Sequence, residues 1–181
     1  MQDIAKEARV NQALLHYYFR SKDRLAEAVF RRTAATLFPQ VVQAMASDLP
    51  LDEKVARVVE IEIDHLSRSP ALPGYILSEL HHHPDRARQL IAALTGATPE
   101  DVRPAVLLKL GQQIDIAVSA GRMRPIDPEQ FLVNLLSLCV FPFAARPMLM
   151  VLLGFDPAAF DRFIIMRRDQ LADFFLRALR P

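Results

Sequence analysis

The sequence predicts an all-α protein, in which two short helices and a tight turn at the N-terminus precede a larger helical bundle. Long stretches rich in Ala, Leu, Val and Arg, with thirteen prolines but only five glycines, favour helices separated by proline. No run of alternating apolar and polar residues is long enough to build a sheet. At 181 residues and 51% hydrophobic content, the chain can bury a sizeable core.

Several helix starts and ends are marked in the sequence. Gly121 and Gly154 mark two ends, because glycine accepts the left-handed backbone that closes many helices. A capping residue followed by proline marks the starts at Thr98-Pro99, Asp127-Pro128 and Asp156-Pro157. Together with the apolar spacing, these signals predict helices at 2–9, 12–19, 22–46, 51–68, 73–82, 84–94, 99–120, 128–145, 147–153 and 157–179.

The segment 51–68 has core-facing positions at helical spacing. Glu60 and Asp64 fall on its outer side. Its inner side carries Val55, Val58, Val59, Glu62 and Leu66. We expect this inner side to pack in the core.

Charge is spread unevenly, although the net charge is only +1. Residues 1–32 hold seven Lys or Arg against four acids, a balance of +3, and the remaining residues sum to −2. A basic N-terminal part on a slightly acidic body is compatible with a nucleic-acid partner, but alone it is weak evidence for one.

The composition indicates a cytoplasmic protein without a membrane segment. The single cysteine, Cys139, cannot form an intramolecular disulfide, which fits a reducing compartment. No basic region followed by an apolar run marks a secretory signal at the N-terminus. The apolar stretch 131–155 is long enough for a bilayer, but Pro142, Arg146 and Pro147 interrupt it and favour two buried helices.

The first nineteen residues predict a helix-turn-helix. Ile4, Ala5 and Ala8 give the first helix a small apolar face that another helix can approach closely, and Val10 is expected to fill the turn. Asn11 can cap the second helix. On that helix Leu15 and Phe19 point inward at positions i and i+4, and the outward positions are Gln12, Ala13, His16 and Tyr17.

The outward face of the second helix favours double-stranded DNA as its partner. Gln makes bidentate contacts to an adenine edge in the major groove, and Tyr and His reach phosphate oxygens. Lys22, at the start of the next helix, is placed to hold a phosphate.

Residues 3–25 resemble the DNA-binding segment of the tetracycline-repressor (TetR) family. The resemblance rests on an IAKEA first helix, a valine in the turn, a second helix ending in YYF, and SKDRL opening a long third helix. The segment GRMRPIDPEQF, which leads into a late helix, is similar to the family's regulatory domain.

The resemblance implies a ligand-responsive transcriptional repressor that binds palindromic operator DNA as a homodimer. Residues 1–30 would form the DNA-binding domain, and residues 31–181 the helical regulatory and dimerisation domain. Helices near 128–145 and 157–179 would pair across a two-fold axis, which places two recognition helices in major grooves about 34–36 Å apart. A small apolar effector in the body would release the DNA through the long helix that begins at Lys22.

The resemblance also assigns roles to residues by position. Gln12 and Ala13 match base-reading positions, and Leu14 either reaches a thymine methyl or packs inward. The positions that hold the phosphate backbone are His16, Tyr17, Tyr18 and Lys22.

The sequence departs from the family pattern in three ways. It begins at the motif's own first helix, whereas family members have an earlier helix beneath it, so we expect the numbering to start inside a longer chain. Arg9 stands where the family has glycine, and a left-handed backbone there costs a non-glycine residue on the order of 1 kcal/mol. Leu14 and His16 stand where the family often has Thr and Tyr.

The helical body holds weaker candidates for an effector pocket. These are Tyr75, Leu80, Phe141, Phe143 and Met148, which could line a site for an apolar or aromatic molecule. Residues of these types at helical spacing are more often plain core or interface.

The histidine run 81–83, with Glu79 and Asp85 beside it, invites a metal-site hypothesis. Consecutive helix positions point about 100° apart, so three adjacent histidines cannot all face one ion, and a solvated helix end is favoured. No nucleophile elbow, phosphate loop or paired acid cluster is visible, so we predict no enzyme, no metal and no cofactor. The alternatives are a helical dimer that binds a small molecule or protein without operator DNA and, less favoured, an enzyme that uses the histidine run.

Overall fold

The computed structural model describes residues 1–82, 84 and 87–181, and all regular elements in these ranges are helices. They are α1 (Gln2–Glu7), α2 (Gln12–Phe19), α3 (Lys22–Ala46), α4 (Leu51–Arg68), α5 (Leu72–His82), α6 (Ala87–Thr95), α7 (Pro99–Ser119), α8 (Pro128–Ala144), α9 (Arg146–Leu153) and α10 (Pro157–Ala178). The all-α prediction is confirmed, and each described boundary lies within about three residues of the predicted one.

The predicted capping signals lie at helix ends. Thr98 and Asp101 form a reciprocal capping box at the start of α7, and the Asp156 carboxylate accepts the N–H of the third residue of α10. Gly154 closes α9 with φ of 66°, a left-handed conformation that glycine adopts without strain. Asp127 precedes α8 without a side-chain cap, so that start is fixed by its extended backbone and Pro128.

Helix α4 lies at the centre of the bundle and packs against α3, α8 and α10. Its inner side is buried as predicted, with Val55 and Val58 completely inaccessible. Its outer side is tied to α10, since Nε of Arg168 lies 2.8 Å from Oδ1 of Asp64. This central position means that a change in α4 reaches both α3 and the C-terminal helices.

Lys54 joins the end of α3 to α4 and α7 from a fully buried position. Its Nζ donates to the carbonyl oxygen of Met45 at 2.7 Å and to Oε1 of Gln113 at 2.6 Å. Burial lowers the pKa of this amine. The contact satisfies a carbonyl at the C-terminal end of α3, so it fixes the helix that connects the two parts of the chain.

By length and hydropathy, none of the helices in the described ranges would cross a bilayer alone. Helices α8 and α9 reach the required length and hydropathy only when taken together, and their axes bend by 73° at the break between them.

Candidate nucleic-acid interface

The turn between α1 and α2 is closed by the backbone. The N–H of Val10 donates to the carbonyl of Ala5 at 3.0 Å, and Ala5 is buried in the approach of the two helices. Arg9 has φ of 54°, the left-handed conformation expected where the family has glycine. Val10 remains 46% exposed, so the expectation that it fills the turn was wrong; the hydrogen bond, and not side-chain packing, closes the turn.

The second helix is capped and oriented as predicted. Asn11 has an extended backbone, and its side-chain oxygen accepts the N–H of Ala13 at 2.8 Å. Leu15 and Phe19 are half-buried on one side of α2. The rest of this short helix is free to meet a partner.

All six recognition-helix candidates have exposed side chains. Leu14 is 54% exposed, which excludes the inward packing that the sequence left open. Tyr17 and Tyr18 are more exposed still, and their rings meet edge to face at 5.3 Å between centroids. The exposed set is Gln12, Ala13, Leu14, His16, Tyr17 and Tyr18. Helical geometry places Ala13 and Tyr17 opposite the half-buried side, with Leu14, His16 and Tyr18 flanking them. Gln12 lies on the side of Leu15 and Phe19 by spacing, and it is exposed because it is the first residue of the helix.

Most cationic side chains of residues 1–32 form no ion pair with a described acid. Ser21 caps α3, since its Oγ accepts the N–H of Arg24 at 3.1 Å, and Lys22 is the first residue of that helix. Arg31 pairs with Glu27 at 2.7 Å. Within the described part of the chain, no ion pair involves the other six cations of residues 1–32, which are Lys6, Arg9, Arg20, Lys22, Arg24 and Arg32. These charges remain available to phosphates.

The five predicted pocket residues occupy different surroundings. Tyr75 is half-buried against the core from α5, and Leu80 is half-buried on the same helix. Phe143 is buried, with its ring edge to face with the ring of Phe160 at 6.5 Å. Phe141 and Met148 are each 54% exposed. The structure therefore separates Phe141 and Met148 from the core positions, and a common effector site for all five stays a prediction.

An exposed apolar face runs along α8 and α10. Phe141 on α8 and Met166 and Phe174 on α10 are each more than half exposed. Between the two helices lies an open groove of about 740 Å³, lined by residues that include Asn134, Phe141, Arg167 and Phe174. Large apolar side chains clustered on a surface indicate a contact with another molecule.

The described histidines do not form a metal cluster. His81 and His82 meet edge to face at 5.6 Å between ring centroids, and Nδ1 of His82 lies 2.7 Å from the carbonyl of Ser78. No group of three or more His, Cys, Asp or Glu within the described ranges could hold an ion. His83 and Asp85 lie outside the described residues.

Glu62 is a residue whose importance the sequence analysis missed. It was counted only as a member of the inner side of α4, and the structure buries its side chain there to 6% exposure. An acid at a core-facing helical position was the available signal. Residue spacing does not show whether the Glu62 carboxyl has a hydrogen-bond or ion-pair partner.

A turn-linked helix pair that exposes Gln, His and Tyr, lies in a segment of cations with no acidic partner among the described residues, and is joined to a helical bundle defines a helix-turn-helix DNA-binding regulator. The family described as "Bacterial regulatory proteins, tetR family" matches residues 1–29, and "Tetracyclin repressor-like, C-terminal domain" matches residues 52–171. The chain belongs to the TetR family of transcriptional regulators. No curated protein matches it.

Proposed function

We propose that this regulator is a homodimeric repressor that binds palindromic operator DNA and is released by a small effector with an apolar body. The observation that carries the proposal is the exposed face of α2 in a segment whose six cations form no ion pair with any described acid. Burial of exposed Tyr and Leu side chains against a partner stabilises the complex, so a face of this composition indicates a binding surface.

We assign the DNA contacts by chemistry and position. Gln12, Ala13 and Leu14 read base edges at the N-terminal part of the recognition helix, with Leu14 against a thymine methyl. The side chains that hold phosphates are His16, Tyr17, Tyr18 and Lys22. In this proposal residues 1–30 form the DNA-binding domain and residues 31–181 the regulatory and dimerisation domain.

We assign dimerisation to the exposed face of α8 and α10. Phe141, Met166 and Phe174 would be buried by the same face of a second copy, since a two-fold interface presents one patch to itself. The polar Asn134 and Arg167 in the groove between the helices would lie within that contact.

The DNA proposal is tested by fluorescence anisotropy of the full-length protein. Duplexes from upstream of its own gene are compared with scrambled duplexes at two salt concentrations. We expect selective binding that weakens steeply as salt rises, because phosphate contacts release counterions. Equal and weak binding to all duplexes would favour instead a dimer that binds a small molecule or a protein.

The dimer proposal is tested by sedimentation velocity. The 20.5 kDa chain should sediment as a dimer, and Phe174→Asp should shift it towards the monomer, because a carboxylate would be buried without a partner. Leu108 on α7, 67% exposed, provides the matched control, and Leu108→Asp should remain dimeric. A dimer that survives Phe174→Asp and Met166→Asp together would place the interface elsewhere.

A further inference from the structure

Glu62 and Lys54 are the buried charged residues in the described core, and their environments differ. Lys54 makes two short hydrogen bonds, whereas Glu62 has no hydrogen bond and no ion pair with any described residue. Buried polar groups are hydrogen-bonded in the great majority of cases, and an exception calls for a missing partner. Glu62 is such an exception at the centre of the regulatory domain.

No cation among the described residues forms an ion pair with Glu62. On α8, burial raises the pKa of the Cys139 thiol, and the nearby Glu62 charge raises it further. On α10, Arg167 is held by the carbonyl of Leu138, and Arg168 pairs with Glu60 and Asp64 on the outer side of α4. On α3, the residues from 33 to 46 carry no titratable side chain.

The Glu62 carboxyl is nonetheless reachable. The oxygens of Glu62 make no hydrogen bond and are not sealed, and the side chain keeps 6% of its surface accessible. The described side chains therefore do not completely enclose the Glu62 carboxyl.

Burial raises the pKa of Glu62 to about 7. A glutamine or leucine would fill this position without the cost of desolvating a charge. A carboxyl at this position is about half ionised near neutral pH, so it can form an ion pair with a cationic ligand.

We propose that Glu62 is the anchor of the effector site, and that it receives the protonated amine of a ligand whose remaining body is apolar. The proposal rests on the ligand-responsive function proposed above and specifies the ligand's chemistry. Val58, Val59 and Leu66 flank Glu62 on the inner side of α4 and are almost completely buried, so an alkyl or aryl body that parts this packing would contact only apolar side chains of α4 beside the carboxyl. A single fixed negative charge in an apolar site favours a cation over a neutral isostere and disfavours an anion.

The test uses three probes of equal chain length, n-octylammonium, 1-octanol and octanoate, each below its aggregation concentration. Isothermal titration calorimetry on the wild-type protein at pH 8 should give a Kd for octylammonium at least tenfold lower than for octanol, with octanoate weakest. Between pH 8 and pH 6 the octylammonium Kd should rise about tenfold, because the ionised fraction of Glu62 falls while the amine stays protonated.

Two variants make the test specific. Glu62→Gln keeps the shape and removes the charge, so octylammonium and octanol should bind within about twofold of each other. Glu60→Gln removes a half-buried acid from the outer side of the same helix and should keep the wild-type preference. Circular dichroism confirms that each variant is folded.

Three results would overturn the inference. They are equal affinity for octylammonium and octanol in the wild type, a preference for octylammonium that survives in Glu62→Gln, and no binding of octylammonium at all. DNA binding is measured separately on the same samples. If the protein binds the operator but shows no preference for octylammonium, this inference alone is overturned. If the preference depends on Glu62 but the protein does not bind duplex DNA, the site is supported and the repressor proposal is overturned.

Discussion

The guanidinium of Arg167 donates two hydrogen bonds to the carbonyl oxygen of Leu138, from Nε at 3.1 Å and from a terminal nitrogen at 2.9 Å. In a regular helix this carbonyl would accept the N–H of residue 142, but that residue is Pro142, which has none. Arg167 on α10 therefore supplies the donor that the backbone of α8 lacks. The proline tolerated in the interior of α8 is thus coupled to the packing of α8 on α10.

Arg167→Met should destabilise the protein by about 1–3 kcal/mol, because a part-buried carbonyl loses a charged donor. The same change in a Pro142→Ala background should cost less, since the alanine N–H restores the helical hydrogen bond. Urea denaturation at one fixed protein concentration gives the free energy of unfolding for all four proteins of the cycle. Equal costs of Arg167→Met in the two backgrounds would show that proline and arginine are not coupled.

The sequence predicted most of the fold because its helix ends carry local signals. Thr98 and Asp156 cap helices through their own neighbours, so pattern alone located them. The contacts of Lys54 and Arg167 join residues far apart in the chain, and no spacing rule identifies such partners. A proline at position 142 implies that the carbonyl of Leu138 lacks its helical donor. Which residue replaces that donor depends on the packing of α10.

The candidate site was predictable to a similar degree. Asn11 as cap followed from its residue type, and the outward Ala13 and Tyr17 followed from helical periodicity; all three agree with the structure. The exposure of Leu14 was left open by the sequence, because it lies on the flank of α2 where a small rotation decides between packing and exposure. The missing partner of Glu62 required knowledge of every helix around α4.

Arg9→Gly should stabilise the folded protein by up to about 1 kcal/mol. Arg9 has φ of 54°, and a residue with a Cβ is strained in that conformation whereas glycine is not. Arg9→Ala keeps the Cβ and removes the charge, so it should give no such gain. Urea denaturation of the three proteins separates the two effects. A loss of stability in Arg9→Gly would mean that the arginine side chain makes stabilising contacts that outweigh the strain.

Glu62 should make stability fall as pH rises from about 4.5 to about 7. Its pKa is near 4.5 in the unfolded chain and about 7 in the fold, so the folded state binds more protons in this window. The stabilisation is complete below the lower value and is lost by the upper one, a difference of about 3 kcal/mol. The free energy of unfolding, compared between wild type and Glu62→Gln at several pH values, measures this change. The difference in the free energy of unfolding between wild type and Glu60→Gln should not follow this change across the window. If it changed with pH in the same way as the difference for Glu62→Gln, the effect would belong to another group.

Gln12→Ala and Lys22→Ala should weaken DNA binding in different ways. Gln12 is assigned to a base edge, so its loss should cost about 1–3 kcal/mol on the preferred operator and relax the preference at one position of each half-site. Lys22 is assigned to a phosphate, so its loss should weaken all duplexes alike and reduce the salt slope by roughly 1 per protomer.

Anisotropy titrations on operator variants at several salt concentrations distinguish the two patterns. Arg103→Ala provides the control, since it removes an exposed arginine from α7, outside the helix-turn-helix, and should change neither specificity nor salt slope. If Gln12→Ala and Lys22→Ala lost the same affinity on every duplex with the same salt slope, the separation of base-reading from phosphate-holding residues on α2 and α3 would be wrong. Identical behaviour of Arg103→Ala and Lys22→Ala would mean that only the net charge of the chain, and not the position of Lys22 at the start of α3, governs the phosphate contact.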